Sequence, residues 1–98
     1  MVQAVPNKTD LEGVVTSHAP HPALPGFDLL VVQIERATPV PGVADLLTQR
    51  IGAPLDILAP RDHIPPGISG QRIRFRAQLA GPGVIRLDPT VPITQIGS

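Results

Sequence analysis

Apolar and polar residues alternate without a break from Gln71 to Leu79: Ile73, Phe75, Ala77 and Leu79 share one side, Arg72, Arg74, Arg76 and Gln78 the other. A period of two marks a β-strand with one buried face, and it sets the three guanidinium groups roughly 6 to 7 Å apart on the other face. Gly81-Pro82-Gly83 follows as a tight reversal, and Val84 to Leu87 returns antiparallel. Three further apolar runs read as strands. Leu11 to Ser17 is the first, with Gly13 placed for a bulge or bend. Leu29 to Ala37 is the second, apolar on both sides at LLVV, as a central strand is, and alternating toward Glu35 and Arg36. Leu55 to Ala59, framed by Pro54 and Pro60, is the third.

The segments between these runs hold most of the thirteen prolines and nine glycines, too many for a helical bundle. His18 to Gly26 (HAPHPALPG) reads as a stiff loop in which Pro20, Pro22 and Pro25 exclude a ladder, and Arg61 to Gly70 as a polar, proline-rich connection. A helix is credible only near residues 42–51. There Val43, Leu46, Leu47 and Ile51 follow a helical spacing, and Gly52 stands where a C-cap belongs, predicting about two turns. The alternative for that segment is an irregular hairpin arm ending in strand. The tail from Pro89 reads as an edge strand or a disordered end.

Five short strands in about 80 residues predict an all-β domain, a small closed or partly open barrel. A glycine in the first strand, a long second strand, a non-sheet connection before the fourth and a tight final hairpin resemble the OB-fold over Asp10 to Asp88. A Greek-key or SH3-like small barrel is the competing reading. The resemblance implies a ligand face across the second and third strands and their adjoining loops, for oligonucleotides, oligosaccharides or protein partners. No family motif accompanies it, so it carries no site residues across.

With 98 residues the chain makes one domain, residues 1–98, with its core in 10–88 and its tail in 89–98. Its 42% hydrophobic and 16% charged content lies outside the range of intrinsic disorder. Packing falls to aliphatic residues, because Phe27 and Phe75 are the only aromatics. The lack of cysteine removes thiol catalysis, thiolate metal sites and disulfides, and fits a reducing compartment, by default the cytoplasm. No apolar run approaches a membrane span. Acids and bases balance at zero net charge, which disfavours bulk electrostatic binding of polyanions.

Candidate chemistry is sparse. Arg72, Arg74, Arg76 and, across the hairpin, Arg86 form the candidate binding residues, able to grip a phosphate backbone or an acidic partner through planar forks. They can equally form a solvated face paired with Glu12 or Glu35. His18, His21 and His63 offer a weak metal constellation, since His18-x-x-His21 lies among stiffening prolines. Ser17 and His18 are neighbours on a strand and point apart, so they make no local catalytic pair. GISGQR lacks the lysine and the following helix of a phosphate loop. No catalytic residues, metal or cofactor are expected. The chain therefore reads as a non-catalytic binding or assembly module, in contact with a protein partner or with a second copy of itself. The exposed loops HPALPGF and DHIPPGI would supply the surface. Single-stranded nucleic-acid binding is the alternative, and an accessory metal-dependent enzyme subunit the second. Generic single-stranded DNA should bind weakly at physiological salt, because stacking aromatics worth about 1 to 3 kcal/mol per base are missing. Oligonucleotide titrations across salt concentrations check this; tight binding abolished by alanine at Arg72, Arg74 and Arg76 would promote the nucleic-acid alternative.

Overall fold

The computed structural model describes residues 6–96. Six strands form, all close to the apolar runs: β1 (Thr9–Pro20), β2 (Phe27–Pro39), β3 (Pro54–Pro60), β4 (Arg72–Gly81), β5 (Val84–Leu87) and the short β6 (Thr94–Gln95). The first five close into a barrel in the order β1-β2-β3-β5-β4, with β4 pairing back onto β1. Neighbours run antiparallel except β3 and β5, which meet in parallel at Ile57 with Ile85 and Leu58 with Arg86. That parallel seam follows from the connection 61–71, which carries the chain from β3 to the far side of β1, so that the β4–β5 hairpin must return beside β3. This closed five-stranded barrel is consistent with the OB-like architecture. Among the described residues no helix is long and apolar enough to cross a membrane.

Gly13 is required where it stands. The β1–β2 register shifts between Glu12 and Gly13 and again between Val15 and Ser17, bending the strand as closure demands. The backbones approach so closely at the first bulge that a Cβ on Gly13 would meet the Gln33 carbonyl oxygen and lie 2.9 Å from Val32 Cγ1.

Alternation along the strands fills the barrel. Leu11 and Val15 of β1, Leu30, Val32 and Ile34 of β2, and Leu55, Ile57 and Ala59 of β3 are buried together. Ile73, Phe75 and Ala77 of β4 and Ile85 and Leu87 of β5 complete this wall. Non-strand residues close its gaps: Leu47 from the β2–β3 connection, Ile68 from the β3–β4 connection and Ile93 just before β6. Ile93 thus docks the tail on its own barrel while β6 pairs with Ile73 and Arg74 of β4.

Three local expectations change. The helix near residues 42–51 contracts to one 3-10 turn, Thr48–Arg50, because Asp45 takes the backbone N–H groups of Leu47 and Thr48 onto its own carboxylate. Leu47 alone is drawn fully inside, whereas Leu46 and Ile51 stay exposed. Pro20 does not end the ladder before it starts: β1 continues to it, opposite Asp28. The β1–β4 ladder has already stopped at Val14, so this arm has one neighbour and a proline can turn its missing N–H to the open edge. In DHIPPGI, Ile68 is buried and Ile64 packs on the core, so this connection seals the barrel and offers less apolar surface than the sequence suggested.

Phe75→Ala should cost roughly 3 to 5 kcal/mol in urea unfolding, since its ring is the largest fully enclosed side chain. Gly13→Ala should cost roughly 1 to 3 kcal/mol through forced backbone movement. Gly81→Ala, with open space at its Cβ, is the control and should change stability much less.

Candidate functional site

The outer surface of the barrel has two unlike sides. On the β1–β4 side the arginine stripe forms a ladder of ion pairs. Antiparallel register sets Asp10 opposite Arg76 and Glu12 opposite Arg74, so pairing needs only extended side chains. Arg76 grips Asp10 in a two-pronged contact, Nε to Oδ1 at 2.7 Å and Nη2 to Oδ2 at 3.2 Å. Arg74 donates to Glu12 Oε2 at 3.1 Å from Nε, with its Nη2 at 3.0 Å. Arg72 stands opposite Val14 and reaches across β1 to Glu35 on β2, with contacts of 2.7 and 3.2 Å. The Arg72 hydrogen bond holds the Glu35 carboxyl below its ordinary range, and Asp10 holds the Arg76 guanidinium charged more firmly.

Three of the four candidate arginines are thus matched one to one by acids. Arg86 is separate: it lies on β5 opposite Gln78 and Leu58, exposed and without an ion pair among the described residues. Glu12 and Glu35 were foreseeable as partners; Asp10 was missed, although D-L-E in the first strand has the same parity as R-I-R-F-R in the fourth.

The other side is apolar. A closed barrel gives β2 only one inner face, yet Phe27, Leu29 and Val31, which alternate with the buried residues Asp28, Leu30 and Val32, lie outside and half-buried. Their cross-strand partners are Pro60, Leu58 and Asp56. Leu24 in the β1–β2 turn and Val84 at the start of β5 are exposed large apolar residues on either side of this surface. Part of this surface forms a groove of about 330 Å³, lined by His21, Leu24, Leu29, Asp56, Leu58, Gly83, Val84 and Ile85. Its volume is at the low end for ligand sites, with room for side chains. No lysine, arginine, Phe, Tyr or Trp lines it, and the imidazole of His21 is its one ring. The run LLVV holds the signal: its second apolar face fits a central strand covered on both sides, and only closure shows that face to be outside.

His21 shapes the groove wall. Its Nδ1 accepts the backbone N–H groups of Ala23 and Leu24 at 3.0 and 3.1 Å, which fixes the turn and leaves the ring hydrogen on Nε2. The other histidines do not join it. His18 faces Asp28, with Nε2 to Oδ2 at 2.6 Å, and His63 lies in the 3-10 turn Arg61–His63. Among the described residues no three of His, Asp and Glu gather around a common metal position.

Three carboxylates fasten the ends of the barrel, Asp28 and Asp88 buried and Asp45 half-buried. Asp28 is held by His18 and by Arg61 Nε at 2.9 Å; chiefly through the His18 hydrogen bond its carboxyl lies below the ordinary range. At Asp45 burial is the largest effect and pushes the carboxyl up, but bonds from the hydroxyls of Thr48 and Thr9 and from the Leu47 and Thr48 backbone outweigh it. Asp88 behaves alike, with Thr90 and Lys8 opposing burial. Thr90 binds its Oδ1, while Lys8 Nζ faces Oδ2 at 3.0 Å as an ion pair without a well-aligned hydrogen bond. No family model, curated protein or solved structure matches the chain.

These lowered carboxyls make acid the weak point of the fold. Each contributes stability that is full above its unfolded value of 3.8 and is lost as pH falls through its lower folded value. Urea midpoints should therefore hold near neutrality and drop below about pH 4. Asp28→Asn should lower the midpoint at neutral pH and make the acid fall shallower.

Proposed function

We propose that this chain is a non-catalytic binding or assembly module of OB-like fold, which receives an apolar segment of a partner protein in the groove over β2, β3 and β5. One observation carries the reading: apolar outward residues on β2 and β3, where core formation asks for none, are continuous with exposed Leu24 and Val84. Such a surface costs free energy in water and gains it when covered. The position agrees with the OB-like reading, since that fold uses its second and third strands together with the loops joining strands 1 and 2 and strands 4 and 5. The lining also favours protein over nucleic acid, because its one ring, the imidazole of His21, is tied to its own turn, no lysine or arginine is there to meet a phosphate, and it contains a carboxylate.

The test compares capture of partner proteins on immobilised wild type with capture on Leu58→Glu and Val84→Glu, each first shown to be folded by its amide spectrum. Partners held by wild type should fall at least roughly tenfold on both groove variants and persist on Arg74→Ala. Partners indifferent to the groove and lost with Arg74→Ala would overturn the proposal and move the site to the arginine ladder.

A further inference from the structure

Asp56 gives the groove a charge preference. It is exposed on the outer face of β3, opposite Val31 and two residues before Leu58, and it lines the groove. Asp10, Glu12, Asp28, Glu35, Asp45 and Asp88 all have basic or hydroxyl partners. Asp56 has no hydrogen bond or ion pair among the described residues, and the other such acid, Asp62, lies in the 3-10 turn beyond β3. No basic side chain apart from His21 lines the groove, and the ring of His21 is committed through Nδ1 to its own turn.

Resting on the groove reading above, the geometry points to a partner segment that carries a lysine or arginine two positions from an aliphatic residue, the cation on Asp56 and the aliphatic side chain on Leu29 and Leu58. A wholly apolar segment laid over this surface would strip water from the Asp56 carboxylate and leave it unpaired, which costs more than apolar contact with its surroundings returns. An acidic or phosphorylated segment would add repulsion at Asp56, and Arg86 on β5, although it neighbours Leu58, does not line the groove to offset it. A cation turns the same desolvation into a charge-assisted hydrogen bond. The spacing comes from β3 itself: Asp56 and Leu58 are successive residues on one face, about 6 to 7 Å apart, and an extended segment presents side chains at that interval only from positions i and i+2. Leu29 stands opposite Leu58 in the ladder and widens the apolar half of the contact.

Selection from a phage-displayed library of random nonapeptides tests this on wild type, Asp56→Asn, Asp56→Arg and Val84→Glu, since exposed Asp56 and Val84 can be changed without loss of the core. Wild type should enrich Lys or Arg two positions from Leu, Ile or Val. A synthetic peptide of that sequence should bind Asp56→Asn roughly tenfold more weakly, and selection on Asp56→Arg should put Asp or Glu in place of the base. Aliphatic peptides without a base, bound equally by wild type and Asp56→Asn and lost on Val84→Glu, would overturn the cation requirement and leave the groove standing. Peptides bound equally by wild type and Val84→Glu, or no enrichment at all, would overturn the groove reading and this inference with it.

Discussion

Closure of the barrel is the constraint from which most other features follow. Once β4 turns back onto β1, each strand has one inside and one outside, and the core is enclosed by the sheet itself rather than by a helix or a second layer. The inside must be filled by the chain itself. With a single buried aromatic ring, Phe75, this falls to aliphatic side chains from the strands and to Leu47, Ile68 and Ile93 drawn in from the connections. Curvature has its own requirement at Gly13, where the β1 and β2 backbones come too close for any side chain.

Closure also divides the outside by strand. On β1 and β4 the parity of outward positions sets acids against arginines, and the result is a ladder with little charge to spare. Exposed pairs of this kind contribute little stability individually, and their effect is rather to keep a charged face neutral and aligned. On β2 and β3 outward positions are apolar, and the neighbouring turns raise Leu24 and Val84 at the margins. The two sides thus differ in what they leave unsatisfied: water already serves the ladder, whereas the groove retains apolar area and one unpaired carboxylate.

Polar groups that closure buries in whole or in part are answered locally. Asp45 substitutes for missing helical bonds near the β2–β3 connection, Asp28 joins the long β1–β2 hairpin to the turn after β3, and Asp88 joins the end of β5 to Lys8 before β1. Each ties a connection to the barrel through a carboxylate that must stay ionised, which couples the ends of the fold to pH more closely than its wall.

Strand positions, the bend at Gly13, the terminal hairpin and the inner residues of β4 were determined by sequence, because period two, turn residues and glycine act through the local backbone. The acids facing Arg72 and Arg74 were also within reach of parity and charge. Other features depended on which strands become neighbours. The helical spacing of Val43, Leu46, Leu47 and Ile51 was overridden once Asp45 bound Thr9 on β1 and only Leu47 found room inside. The double-sided run LLVV could belong to a covered central strand or to a barrel strand with an apolar exterior, and the decision required the β4–β1 pairing that no local pattern specifies. Tertiary structure therefore decided the groove, because its walls come from the β1–β2 turn, two neighbouring strands and the β4–β5 hairpin, segments brought together only by long-range register.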